Sequence, residues 1–166
     1  MMNFRPYESS DSEKIISWIK DEYSFRQWSA DRFGDFPITA DDLNSHYAAQ
    51  AYSRSFFTFT ACDEKGVCGH MIIRYPDKKQ KTVRFGFVIV DSERRGQGLG
   101  RKMLELAKDY ARDFLHADKI TLGVFENNSA ALHCYLAAGF KVVDTENEFF
   151  CINGEKWKCI EMELIL

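Results

Sequence analysis

A chain of 166 residues, 45% apolar and 14% aromatic, is long enough to bury one sizeable hydrophobic core and gives no reason to divide it into two domains. A formal net charge of −3 and a sequence pI of about 5.8 argue against a nucleic-acid partner, which favours a basic excess, and point to a small molecule or a protein. No run approaches the roughly 18 consecutive apolar residues of a membrane span, and the start "MMNFRPYESSD" lacks an apolar signal stretch, so a cytoplasmic protein without membrane association is expected.

In chain order, Asn3 to Pro6 reads as a short extended start. Ser10 and Glu13 stand at capping-box spacing, and Ile15, Ile16, Ile19 and Tyr23 follow at helical intervals, which predicts a first helix near 11–22. The aromatic and charged stretch 23–37 contains a Gly and a Pro, predicting a short helix and an irregular loop. Thr39 then stands as the N-cap of another helix.

"RSFFTFTACD" and "VCGHMIIRY", joined by the turn-like "EKG", predict a β-hairpin, and "KTVRFGFVIVD" continues it as a third strand, apolar as a strand buried on both faces is. Leu99, Met103, Ala107, Ala111 and Phe114 recur at steps of three and four, marking an amphipathic helix over 99–115. "KITLGVFE" follows as a strand. "NNSAALHCYLAAGF" reads as an Asn-capped short helix with Gly139 at its left-handed end. "FKVVDTENEFF" and "GEKWKCIEMELIL" predict two closing strands. The five cysteines form no CxxC pair and the four histidines are scattered, so reduced thiols and no metal centre are expected.

The stretch "DSERRGQGLGRKML" puts three glycines among four cations at the start of the long helix, although a helical glycine costs about 0.8–1 kcal/mol relative to alanine. Glycine lets a ligand approach the backbone, and the free amides of a first helical turn favour anions. A phosphate or pyrophosphate held by amides at about 1.5–3 kcal/mol per charge-assisted bond outweighs that cost; a plain turn with solvated arginines is the alternative. Two other phosphate motifs fail: Arg101 stands where GxGxxG needs its last glycine, and no GxxxxGK[ST] occurs.

Arg95, Gly96, Gln97, Gly98, Leu99 and Gly100 fit the RxxGxG signature of the GNAT superfamily of acyl-CoA-dependent N-acyltransferases. Downstream, Asn128, Tyr135, Gly139 and Phe140 fall at the spacing of that family's later motif. The chain resembles this family closely over residues 83–140 and loosely elsewhere. The resemblance implies a mixed α/β (α+β) GNAT fold, with a central mixed sheet of six to seven strands flanked by about four helices in one domain over 1–166. It also implies two adjacent parallel strands that splay to admit acetyl-CoA, the acyl donor, with no metal.

Carried over by position, Val88, Ile89 and Val90 would face the pantetheine and acyl group, and the amides of Gly96 to Arg101 would hold the pyrophosphate, helped by Arg94, Arg95 or Lys102. Asn128 would either cap its helix or bond the pantetheine. Tyr135 resembles the family's general acid beside the departing sulfur, the plainer reading being a packed core tyrosine. A phenol suits the role because it stays protonated at neutral pH.

Many relatives carry a glutamate on the strand before the loop, but Thr82 to Val90 holds no carboxylate. Glu126 is the first candidate base, with a water chain as the alternative; Asp91, Asp21, Glu22 and His70 are weaker candidates, and Cys134 reads as a packed thiol. Acceptor choice falls to segment 23–45 and the loops near 75–80 and 145–156. There Phe25, Trp28, Phe33 and Phe36 either wall a pocket or pack the sheet, and Asp31 and Asp35 could attract a cationic amine. The expected activity is transfer of an acetyl group to a primary amine, on a small molecule or a protein, by direct attack; a non-catalytic acyl-CoA-binding regulatory module is the alternative. A homodimer is compatible with this reading.

Overall fold

The computed structural model describes residues 1–77, 79, 81–143 and 148–166. Strand β1 (Asn3–Pro6) leads through a 3-10 turn (Ser9–Asp11) into helices α1 (Ser12–Ile16), α2 (Glu22–Ser29) and α3 (Ala40–Ala48). Strands β2 (Phe56–Asp63), β3 (Gly66–Arg74) and β4 (Thr82–Val90) then form the expected meander. Helix α4 (Leu99–Asp113), strand β5 (Lys119–Phe125), helix α5 (Ser129–Ala137) and strands β6 (Lys141–Val142), β7 (Glu148–Ile152) and β8 (Glu155–Ile165) complete the chain.

The first helix is shorter than its periodicity predicts. Helix α1 ends at Ile16, and Asp21, which accepts the Ser24 amide at 2.7 Å and closes a capping box with the Ser24 side chain, starts α2. The capping box at the other end joins Glu8 to Asp11 rather than Ser10 to Glu13. Asp11 is buried and held by Arg5 at 2.8 Å.

One mixed sheet runs β1-β2-β3-β4-β5-β8-β6, with β7 paired to β8. It has eight strands rather than six or seven, and five α-helices rather than four, among the described residues. The extra strand arises because β8 takes β5 along one side while its other side is long enough for both β6 and β7. Residues 144–147, inside the expected strand "FKVVDTENEFF", lie outside the described residues.

Alternation along each strand feeds two cores. Met71 and Ile73 join the cluster built on Met103, Leu104, Ala107 and Phe140, under α4 and α5. Ile72, between them in sequence, joins the opposite cluster of Ile15, Trp18, Phe25 and Leu43, under α1 to α3. Helices therefore cover both faces, which explains why β3 and β4 read as almost continuously apolar.

The feature that positions the site is a fork. β4 and β5 pair in parallel only at Thr82↔Lys119, Val83↔Ile120 and Arg84↔Thr121. Beyond Arg84 each follows its outer partner, β5 staying with β8 as far as Phe125↔Cys159. β4 stays with β3 through a bulge: between His70↔Ile89 and Ile72↔Gly86, Met71 alone faces both Phe87 and Val88. The extra residue bends and twists the strand away from its neighbour, and Phe87 is left with φ of 48°.

Candidate active site

The fork opens into a cleft of about 590 Å³. Its walls are apolar where the strands part, with Phe85, Val88 and Val90 on one side and Leu122 and Val124 on the other; Ile89 also lines it. At one end stands the glycine loop. Gly96 and Gly98 have φ of 77° and 76°, the left-handed region that glycine enters without strain, and no atom lies within 4 Å of where a Cβ would sit on either.

Gly98 is the N-cap of α4 and offers no side-chain cap. The first helical bond runs from Lys102 N–H to the Gly98 carbonyl at 3.0 Å, leaving the amides of Leu99, Gly100 and Arg101 without helical acceptors at the positive end of the helix dipole. Arg95, Arg101 and Lys102 are exposed and make no ion pair among the described residues. Arg94 differs: it is ion-paired with Asp63 and belongs to the wall. Gln97 is exposed and does not line the cleft.

Gly100 has a separate reason to be glycine. A Cβ there would lie 3.2 Å from the Cys134 sulfur, so the missing side chain lets α4 approach α5. Cys134 is the packed thiol its sequence context predicts, and burial pushes its pKa up.

Tyr135, on α5, lines the cleft and is only 7% exposed. Its hydroxyl makes no hydrogen bond with any described residue, and burial raises its pKa, so it remains a proton donor throughout the physiological range. Asn128 Oδ1 accepts the Ala131 amide at 3.3 Å and caps α5. Asn128 also lines the cleft, and its amide group donates no bond to a described residue, so capping and ligand contact are compatible.

The candidate bases lie elsewhere. Glu126 is exposed in the turn after β5, where its own N–H is tied to the Lys158 carbonyl at 2.9 Å, and it does not line the cleft. Asp91 is buried as the cap of the Glu93 amide at 3.1 Å, Asp21 caps α2, and Glu22 pairs with Arg26. His70 is fully buried and shares a 2.6 Å hydrogen bond with Tyr47. Among the described residues that line the cleft there is no carboxylate, and no His, Cys, Asp and Glu cluster among them is fit to hold a metal.

The segment from α1 to α2 adds Trp18, Ile19, Ser24, Gln27 and Trp28 to the lining of the cleft. Gln27 donates to the carbonyl and side-chain oxygens of Asn127 at 3.2 and 3.1 Å, tying α2 to the turn before α5. Trp28 stacks on Phe33, with ring centroids 5.4 Å apart, and donates its indole N–H to the Phe87 carbonyl at 2.9 Å. Of Phe25, Trp28, Phe33 and Phe36, Trp28 alone lines the cleft; Phe25 is core, Phe36 packs on it, and Phe33 backs Trp28. Asp31 and Asp35 are exposed and outside the lining. Residues 78, 80 and 145–147 of the expected acceptor loops lie outside the described residues. The sequence reading missed Trp18, Ile19 and Gln27, and missed the bulge, whose one local signal is Gly86 inside a strand pattern.

A cleft between parting parallel strands, with free helix amides and cations unpaired among the described residues at one end and a buried phenol in its lining, fits a long phosphorylated acyl carrier and defines an acyl-CoA-dependent acyltransferase. Residues 13–140 match the model of the acetyltransferase (GNAT) family, and the chain belongs to that family. It is similar to spermidine N(1)-acetyltransferase of Escherichia coli K12, with 25% identity over 161 residues, 97% of this chain and 84% of that one. N-alpha-acetyltransferase 30 of Saccharomyces cerevisiae is 33% identical over 132 residues, covering 72% of this chain and 74% of its own. The crystal structure of spermidine N-acetyltransferase from Vibrio cholerae in complex with CoA and spermine shares the fold, with a TM-score of 0.82 at 22% identity over 99% of this chain and 95% of that one. The protein is thus an acetyltransferase with acetyl-CoA as donor. No helix among the described residues is long and apolar enough to cross a membrane.

Proposed function

We propose that the protein acetylates a primary amine of a small molecule, the amine entering past Trp18, Gln27 and Trp28 and meeting the donor inside the fork. The observation that carries this reading is the Tyr135 hydroxyl: its ring packs in the core, but the hydroxyl has no hydrogen-bond partner among the described residues, whereas acetyl transfer needs a proton donor. A module that only bound acyl-CoA would have no use for it. The spermidine acetyltransferases among its relatives support a small-molecule acceptor.

Bound acetyl-CoA supplies a thioester carbonyl that an unprotonated amine can attack directly. The amides of Leu99, Gly100 and Arg101, with Arg95 and Arg101 beside them, hold the pyrophosphate, while Gly96 and Gly98 keep the approach open. The backbone of Val88, Ile89 and Val90 pairs with the arm of the donor and offers an N–H to the carbonyl oxygen as charge develops on it. Asn128 donates its side-chain amide to the same arm. Tyr135 gives its hydroxyl hydrogen to the leaving sulfur as the C–S bond breaks, and it is reprotonated by the hydrogen that the attacking nitrogen sheds on becoming an amide, directly or through water.

No residue of the described lining is a carboxylate base, and Glu126 is not given that role. An ammonium moved from water into an apolar cleft that also holds Arg94, Arg95 and Arg101 loses its proton more easily, because burial and like charge both disfavour the cation. The amine therefore binds as free base, its proton passing to solvent. CoA thiol release measured with a panel of primary amines, alongside calorimetry of acetyl-CoA, tests this reading. kcat/KM for each amine is expected to rise with pH up to that amine's own pKa. Tight acetyl-CoA binding with no turnover of any amine would return the protein to the class of binding modules.

A further inference from the structure

The bulge in β4 carries an odd conformation: Phe87, a bulky non-glycine residue, sits at φ of 48°. Such a residue stays in the left-handed region only where its surroundings hold it there. One holder is visible. Trp28 reaches across from α2 and gives its indole N–H to the Phe87 carbonyl at 2.9 Å, and the two rings pack with centroids 5.4 Å apart.

That carbonyl belongs to the peptide joining Phe87 to Val88, the two residues that together face Met71 where the β3 ladder slips. In a planar trans peptide the C=O and N–H point in opposite directions. A bond that fixes the Phe87 carbonyl toward Trp28 therefore also fixes the Val88 N–H away from Trp28, and Val88 lines the fork.

We infer that Trp28 is a positioning residue for acetyl transfer: by holding the Phe87 carbonyl it aims the Val88 amide as the hydrogen-bond donor to the reacting carbonyl oxygen. This rests on the acetyltransferase reading above. It also links the two substrates, because Trp28 is at once part of the acceptor wall and the clamp on the donor strand. An acceptor that presses on the Trp28 ring acts on the aim of the Val88 N–H.

Trp28→Phe keeps an aromatic ring against Phe33 and removes the indole N–H. It is expected to lower kcat about 10- to 100-fold, somewhat less than outright loss of an oxyanion donor, with acetyl-CoA affinity within about twofold of wild type. Phe87→Gly makes the left-handed conformation intrinsically accessible, so it is expected to restore part of the lost kcat when added to Trp28→Phe. A residue that served only as acceptor wall would instead raise the KM for the amine, leave kcat alone and show no rescue by Phe87→Gly. Any of those three results overturns the inference.

The ¹⁵N–¹H resonance of Val88 in the free protein gives a second reading that needs neither turnover nor the double variant. Trp28→Phe is expected to move it well beyond the resonances of neighbouring Val90, and an unmoved Val88 amide overturns the clamp. If the wild-type protein acetylates no amine, the acetyltransferase reading fails, while this resonance still decides whether Trp28 holds the bulge.

Discussion

Arg84, at the last position where β4 pairs with β5, is ion-paired with Glu161 on β8, reaching across the full width of β5 to do so. It also donates to Thr121 Oγ1 at 3.3 Å, and it passes over Gly123, where a Cβ would lie 2.9 Å from the guanidinium and 3.0 Å from the Cys159 sulfur. The three strands are thus pinned together at the crotch of the fork, below the point where β4 departs. Glu161→Gln is expected to cost about 1–2 kcal/mol in a urea titration, since both partners are only 24% exposed. Gly123→Ala should cost a similar amount by displacing Arg84, and the double variant less than the sum, because both remove the same pin.

Gly98 and Gly100 have the same residue for different reasons, and alanine separates them. Gly98→Ala places a Cβ in the left-handed region, so it is expected to weaken CoA binding, measured by calorimetry, whatever else is changed. Gly100→Ala has normal backbone geometry but meets Cys134 at 3.2 Å, so adding Cys134→Ala should restore much of its stability and binding. Cys134→Ala should give no relief to Gly98→Ala.

Tyr135→Phe is expected to lower kcat by about 10² to 10⁴ while leaving the Kd for acetyl-CoA nearly unchanged, because the ring still packs against Phe140 and only the proton donor is lost. Glu126→Gln, altering an exposed turn outside the cleft, should leave kcat and its pH profile as they are. A profile that lost its acidic limb in Glu126→Gln would restore that carboxylate as the base.

His70 makes stability depend on pH. Burial lowers its pKa to about 4, against 6.5 in an unfolded chain, so the native protein keeps it neutral while the unfolded chain takes up a proton first. Its contribution is complete above about pH 6.5 and is lost as pH falls toward 4, about 2 kcal/mol of it between pH 7 and pH 5. His70→Gln should remove that part of the slope in urea titrations at pH 7, 6 and 5. An unchanged slope would mean that another group carries it.

The glycine loop and the two helix starts proposed to hold the donor are legible in the sequence because their requirements are local. Left-handed glycines before a helix and an Asn cap before another are conditions a residue meets within a few positions of itself. The second reason for a glycine at 100, the Cys134 sulfur, has no sign in the sequence, since only the packing of α4 on α5 brings it near. The first helix is shorter than its pattern because Ile19 and Tyr23 keep helical spacing across the break between Ile16, where α1 ends, and Asp21, which caps α2. Glu126 is a candidate in the sequence because it ends the strand before Asn128, and its exposure in the turn after β5 has no signature there. The Trp28 to Phe87 bond spans 59 positions and depends on a bulge, so no pattern in either segment announces it.

The fork also sets up a division along the chain. Every group proposed to handle the donor lies between Val88 and Tyr135, whereas the acceptor wall comes from Trp18 to Trp28, in a segment that covers the opposite face of the sheet. Changes of acceptor can then accumulate in the first fifty residues while the donor machinery stays fixed. The one residue not free to drift is Trp28, through which any remodelled acceptor wall must still grip the donor strand.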